Sequence, residues 1–257
     1  MDETRHSLAI ILNRSAYREN DSLVTAYTAN YGKLTLIARG TRKLSSKLAG
    51  HIEPLTLADI MIINGKGFDY IGSAVMRESY PGIRADLNKL YYAGRVVGLF
   101  NRLVKEDQAD EHLFFLLARW LEVLADFSFS RPGLAPSSEL DKNNGELLGV
   151  FFSLKLLAEL GYQPETYKCL SCGRSIAPGK NYFDLLSGRI VCGSCWEEKR
   201  SEAILGQTQL LAISDNSVKL LRFILANKFE QAEKLKAGSK DIKELANIID
   251  KFILCLS

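Results

Sequence analysis

NYGKLTLIARGTRK, residues 30–43, runs from a turn through a strand into a basic loop. Gly32 suits the turn, and the alternating residues that follow it are typical of a strand. The chain has no carboxylate between Asp21 and Glu53, although it carries five Lys and Arg residues there. Like charges on one surface repel each other, so this uncompensated positive charge indicates a negatively charged partner or a solvated loop.

The strand pattern of this stretch recurs on both sides of it. Short runs of β-branched and aromatic residues lie between Ser7 and about Tyr80, separated by turns such as NGKG at 64–67. Five such runs predict a small barrel. The count fits an OB-fold, a five-stranded Greek-key barrel that binds oligonucleotides on its open face and loops. An SH3-like barrel fits nearly as well.

After Pro81 the apolar period changes from 2 to 3.6 residues, which predicts helices. We expect helices over 84–104, 111–127, 146–160, 215–226 and 241–254, with a polar, proline-bearing loop over 128–144. The chain is therefore predicted to be an α+β protein. Its predicted divisions are an OB-fold domain at 1–80, a helical domain in two parts at 81–162 and 201–257, and a cysteine-rich module at 163–200.

The cysteine-rich module has the spacing of a metal site. Cys169 and Cys172 form one CxxC pair, Cys192 and Cys195 form another, and nineteen residues separate the pairs. This arrangement predicts one zinc ion. Four thiolates complete a tetrahedral coordination shell, so the zinc is expected to be structural. Redox dithiols or disulfides are the alternative, which a reducing cytoplasm disfavours.

Bulk composition excludes some classes of protein. Charged residues are 25% and apolar residues 47% of the chain, the formal net charge is +3, and these are ordinary globular values. The N-terminus carries acids where a signal peptide carries bases, and no apolar run approaches a membrane span. We expect a cytoplasmic protein without a membrane partner.

Catalytic motifs are weak. The three histidines are scattered, and neither a GxxxxGK[ST] nor a GxGxxG phosphate loop is present in the sequence. Asp107, Asp110 and Glu111 could be a metal-binding cluster of a nuclease, but they more simply cap the helix that begins near Glu111. We expect no enzymatic site.

The basic stretch is the candidate binding site. Five side chains are expected to cluster along one edge of the barrel: Lys33, Arg39, Arg42, Lys43 and Lys47. Such a cluster binds phosphates without sequence preference and with a steep salt dependence. Aromatic residues of the same domain could stack on bases or could equally be core: Tyr17, Tyr27, Tyr31 and Phe68.

The order of these segments along the chain resembles that of a known family. NYGKLTLIARGTRK is followed by LAGHIEPLTLADIMI at 48–62, then by a helical region, the CxxC…CxxC insertion and closing helices. This order resembles the bacterial recombination mediator family RecO over essentially the full chain. The resemblance implies an OB-fold domain, a helical domain and a zinc module.

The resemblance also implies a function. Members of the family are non-enzymatic DNA-repair proteins of the bacterial cytoplasm and nucleoid. They bind single- and double-stranded DNA, anneal complementary strands, and act with RecR to help RecA replace single-strand-binding protein (SSB), whose C-terminal tail they contact. The DNA-contacting phrase matches at Lys33, Arg39, Arg42, Lys43 and Lys47, and the zinc cysteines match at Cys169, Cys172, Cys192 and Cys195.

Two other functions fit the residues. A zinc-containing protein-interaction scaffold with an SH3-like barrel predicts salt-insensitive or absent DNA affinity. A zinc-ribbon regulatory factor that binds RNA or DNA predicts sequence preference through base-edge contacts.

Overall fold

The computed structural model describes residues 4–106, 108–127, 139–201, 209–235 and 237–256. The chain divides into two compact units, Met1–Asp126 and Phe127–Ser257. Within the described ranges no helix is both long enough and apolar enough to cross a membrane.

Five strands form a closed barrel in the N-terminal unit, in the order β1-β2-β3-β5-β4. The strands are β1 (Thr4–Tyr17), β2 (Asp21–Thr28), β3 (Gly32–Ala38), β4 (Leu57–Ile63) and β5 (Asp69–Glu78). A 3-10 turn at Ala49–His51 lies in the connection from β3 to β4.

The barrel closes between β3 and β5, the one parallel pair among its neighbours, through Leu36 opposite Asp69 and Ile37 opposite Tyr70. β1 reaches both β2 and β4 because a register shift after Ile11 bends it. Alternate residues point inward, as the strand period requires, and fill the interior with aliphatic side chains. The prediction of an α+β protein with an N-terminal OB-fold barrel is confirmed.

Three helices follow the barrel: α1 (Pro81–Arg84), α2 (Leu87–Leu103) and α3 (Glu111–Asp126). The Asp86 carboxylate accepts hydrogen bonds from the first N–H groups of α2. Asp110 does the same for α3, where its Oδ1 accepts from the His112 N–H at 2.8 Å. Asp110 is therefore a helix cap, as the simpler interpretation predicts. Asp107 lies outside the described residues.

The C-terminal unit combines helices with a small sheet of strand order β6-β8-β7-β9. Its elements are α4 (Glu139–Glu159), β6 (Glu165–Cys169), β7 (Asn181–Asp184), β8 (Arg189–Cys192), α5 (Gly193–Ser201), β9 (Leu210–Ile213), α6 (Asp215–Ala226), a 3-10 turn (Phe229–Lys234) and α7 (Ser239–Leu256).

Helix α4 begins earlier than the sequence pattern indicates. Its first turns, from Glu139, fall in the stretch predicted as a loop over 128–144. These residues lack apolar periodicity, although several of them have a good intrinsic helix propensity. The part of the predicted loop at 128–138 lies outside the described residues.

A tight hairpin joins β7 to β8 and fixes the sheet against α7. The Ser187 hydroxyl donates to an Asp184 carboxylate oxygen at 2.6 Å, and Gly188 turns the chain with a φ of 67°. A Cβ at Gly188 would lie 2.7 Å from the Phe252 ring of α7, so glycine is needed there for space as well as for backbone conformation. The Phe183 and Phe252 ring centroids are 5.6 Å apart, edge to face.

Three lysines from neighbouring elements cap the C-termini of helices. Lys33 of β3 donates from Nζ to the carbonyls of Asn101 and Val104 at the end of α2. Lys89 donates to a carbonyl at the end of α3, and Lys155 to one at the end of α6. A cation at this end satisfies unpaired carbonyls and the negative pole of the helix dipole. Burial lowers the pKa of Lys89 and of Lys155, although neighbouring carboxylates oppose the shift.

Lys33→Met should destabilise the N-terminal unit, because two carbonyls at the end of α2 lose a charged donor. We expect a loss of about 1.5–3 kcal/mol in the free energy of unfolding, measured by urea denaturation. Lys66→Met, which removes an exposed lysine from the turn between β4 and β5, is the control and should change little. Equal stability of the two variants would rule out a capping role for Lys33.

Candidate nucleic-acid interface and metal site

Four of the five predicted basic residues are exposed on the connection between β3 and β4: Arg39, Arg42, Lys43 and Lys47. Lys33 is not among them. It lies at the opposite end of β3 and is 9% exposed. Its ammonium group donates hydrogen bonds to carbonyls at the end of α2. The expectation that all five cluster along one edge is therefore wrong for Lys33, because β3 places it at the far end of the strand from Arg39.

We call the segment that joins β3 to β4, residues 39–56, the basic connection. It forms one wall of an open groove of about 670 Å³. Arg39, Lys43 and Lys47 line this wall. We call this feature the basic groove. Its other lining residues come from the connection itself and from the ends of β4 and β5: Gly40, Ser45, Ser46, Leu48, Ile63, Asn64, Tyr70, Ile71 and Gly72. Its described lining residues include three cations and no carboxylate, which favours the binding of an anion.

Arg39 lines the basic groove and packs on an aromatic ring. Its guanidinium carbon lies 4.0 Å from the centroid of the Tyr70 ring, a cation–π contact. Arg39 and Lys43 also line a second concavity, together with residues 18–21 of the turn between β1 and β2. The β1–β2 and β4–β5 loops of an OB-fold are those that bind oligonucleotides, and Arg39 here lies between them.

Arg42 fastens the basic connection to the barrel. Its Nη1 donates to the carbonyls of Arg18 and Glu19, each at 3.1 Å. The neighbouring Gly40 N–H donates to Asp21 Oδ1 at 2.8 Å. Arg42 is exposed, so it combines a structural role with a surface charge.

Arg14 of β1, which the sequence pattern does not single out, holds the connection from beneath. Its Nη2 donates to the Thr41 carbonyl at 2.9 Å and its Nη1 to the Ala49 carbonyl at 3.1 Å, so it ties both ends of the segment between them. An ion pair with Glu53 at 2.5 Å completes the site. No local signal marks this arginine, because its partners are up to 39 residues away in the chain.

The aromatic candidates divide into core and surface. Tyr27 is fully buried, donates its hydroxyl to the Asp110 carbonyl at 3.2 Å, and has its pKa raised by burial to about 12. Tyr31 packs against the barrel core. Base stacking on Tyr27 is thus excluded by its burial. Tyr17 and Phe68 lie at the surface, with ring centroids 6.3 Å apart. Tyr70, which contacts Arg39, is not among the aromatic residues that the sequence pattern singles out.

The four predicted cysteines meet at one point in the C-terminal unit. All four Sγ atoms lie within 4.8 Å of one another, and all four thiols are free. The Cys172 and Cys192 sulfurs are 4.0 Å apart. A tetrahedral zinc with bonds of about 2.3 Å would place its sulfurs about 3.8 Å apart, so the cluster fits a metal ion of this kind.

The environments of the thiols differ. The Arg174 Nε donates to Cys172 Sγ at 3.2 Å, and this bond holds the pKa of Cys172 at about 6. Burial disfavours the Cys169 thiolate, but backbone N–H groups outweigh burial and lower its pKa. Burial raises the pKa of Cys195 to about 12. Hydrogen bonds therefore favour the thiolates of Cys172 and Cys169, whereas burial favours the protonated thiol of Cys195.

Two family models match the chain almost end to end. The model "Recombination protein O N terminal" matches residues 1–80, and "Recombination protein O C terminal" matches residues 84–256. Among the relatives are proteins named "DNA repair protein RecO". That of Dehalococcoides mccartyi is 30% identical over 92% of this chain and 84% of its own length. That of Desulforamulus reducens is 28% identical over 95% and 86%.

Arg14→Gln should loosen the basic connection, because two carbonyls lose a charged donor. Trypsin should then cut at Arg39, Arg42, Lys43 and Lys47 at least about tenfold faster, as followed by mass spectrometry. The control is Arg77→Gln, which removes an exposed ion pair with Asp59 elsewhere on the barrel. Unchanged cleavage in Arg14→Gln, with the fold intact by circular dichroism, would show that other contacts hold the connection.

Proposed function

This chain belongs to the RecO family of DNA repair proteins, and on that basis we propose that it is a non-enzymatic recombination mediator. It binds single- and double-stranded DNA without sequence preference and anneals complementary strands. With RecR it helps RecA replace SSB on gapped DNA. The protein acts in the bacterial cytoplasm, on the nucleoid.

The basic groove is the observation that carries the DNA-binding part of the proposal. Three exposed cations, Arg39, Lys43 and Lys47, line one wall of an open groove on an OB-fold barrel, without a carboxylate among its described lining residues. Cations in this arrangement neutralise phosphates and release counterions from DNA. Arg42 adds a charge beside the groove. Lys33 takes no part in our proposal, since its ammonium is buried.

Annealing follows from contacts of this type. Two strands repel each other through their phosphates, and a cationic surface offsets that repulsion. The bases must stay available for pairing, so most contacts should go to phosphates rather than to base edges. A groove that presents Lys and Arg beside small hydroxyl side chains at Ser45 and Ser46 meets this condition.

The proposed protein partners rest on family membership. RecR, the C-terminal tail of SSB and, indirectly, RecA are the partners that membership in this family supports. We propose that residues 1–80 bind DNA, that the helical segments at 81–162 and 201–257 carry protein contacts, and that residues 163–200 form a zinc module.

We propose that the four cysteines hold one structural zinc. The ion would link the ends of β6 and β8 to α5, in a segment with little core of its own. Four thiolates leave no open position, so the ion stabilises the module and activates no water. The sulfur donors and their spacing support this assignment.

Removal of the groove charges should weaken DNA binding and its salt dependence together. We expect the triple change of Arg39, Lys43 and Lys47 to Ala to flatten the slope of log affinity against log salt by about one to three units. Fluorescence anisotropy of a labelled single strand measures it. A matched triple change of exposed lysines in the other unit, Lys228, Lys240 and Lys251 to Ala, removes the same charge. Equal slopes for the two triple variants would refute the groove as the DNA surface.

The zinc assignment is tested by metal content and stability. Purified protein should contain about one zinc ion per chain by elemental analysis. Cys172→Ser should lose most of it, and both this variant and chelator-treated protein should unfold at a lower temperature. Cys255→Ser is the control, because Cys255 is an exposed thiol outside the cluster. Protein free of zinc with unchanged stability would reject the assignment.

A further inference from the structure

The basic groove contains features that phosphate binding alone does not require. Besides its cations, the groove is lined by the half-buried aliphatic residues Leu48 and Ile63. Gly72 leaves room for the Ile63 side chain, since a Cβ there would lie 2.6 Å from Ile63 Cδ1. A phosphate gains nothing from aliphatic surface, whereas a planar heterocycle gains from covering it.

Arg39 supplies a flat surface inside the groove. The Tyr70 ring lies 4.0 Å from its guanidinium carbon, which restricts the rotation of an otherwise flexible side chain. Arg39 is exposed and lines the groove, so its guanidinium plane is accessible to a ligand there. Guanidinium planes are established stacking partners for unpaired bases. A plane already held by an aromatic ring loses less entropy on binding.

The dimensions also fit. A groove of about 670 Å³ lies within the range of about 300–1,000 Å³ that is usual for sites that take small organic ligands. The cations Lys43 and Lys47 line the same groove as Arg39, where they can contact phosphates of a bound strand.

We propose that the basic groove binds an unpaired base of single-stranded DNA, stacked on the outer face of the Arg39 guanidinium. Tyr70 is a positioning residue that fixes the plane of Arg39. The inference rests on the proposed DNA-binding function and makes it more specific. A duplex holds its bases in pairs and cannot fill the aliphatic part of the groove, so the site favours single strands. Stacking depends little on base identity, which keeps binding independent of sequence.

The experiment compares two labelled single strands of equal length, one of mixed sequence and one with every base removed. Both carry the same phosphates. The protein variants are Arg39→Lys, which keeps the charge but loses the plane, and Tyr70→Leu, which keeps Arg39 but removes its support. Arg77→Lys, an equal exchange at an exposed arginine outside the groove, is the matched control.

Wild-type protein and Arg77→Lys should bind the strand with bases at least about fivefold more tightly than the strand without them. Arg39→Lys should bring this ratio close to one, and Tyr70→Leu should lower it. Equal affinity of the wild-type protein for the two strands would overturn the inference and leave the proposed function standing. A ratio unchanged in Arg39→Lys would overturn it too. Absence of binding to either strand would overturn the proposed function together with the inference.

Discussion

The parallel pairing of β3 with β5 closes the barrel, and the candidate interface depends on it. The two strands match at only two pairs of residues, and the second pair places Ile37 opposite Tyr70. β3 then ends at Ala38 and the chain turns away into its basic connection, while β5 continues beside β4. The gap that opens between them is the basic groove. Arg39 and Tyr70 meet because they lie at the point where the paired strands separate.

The modest net charge of the chain conceals how differently its cations are used. Lys33, Lys89 and Lys155 are directed at helix C-termini, and Arg14 is directed at the carbonyls of the basic connection. These cations stabilise the fold and offer little to a ligand. The exposed cations Arg39, Lys43 and Lys47 instead line a groove that has no carboxylate among its described lining residues. Whether each cation is bonded within the fold or exposed at the surface therefore says more about polyanion binding than the total charge does.

The sequence predicts those features that depend on local patterns. Period-2 alternation located the barrel strands, and two CxxC pairs located the cysteine cluster, because both signals are short in sequence. The direction of a side chain is not a local property. Lys33 and Tyr27 belong to the predicted basic and aromatic sets, yet their strands turn them toward α2 and toward Asp110.

The sequence does not predict the roles of Arg14 and Tyr70, because these roles depend on distant partners. Neither belongs to a motif, and each gains its role only from a partner that the fold brings near: the distant carbonyls for Arg14 and Arg39 for Tyr70. The early start of α4 at Glu139 was missed because polar helical turns lack the apolar period on which such predictions depend.

The burial of Cys195 couples any metal uptake by the cysteine cluster to proton release. Its raised pKa keeps this thiol protonated at neutral pH when no cation is bound, whereas Cys172 is already largely ionised there. An incoming divalent ion must therefore expel the Cys195 proton, and uptake becomes harder as protons grow more abundant.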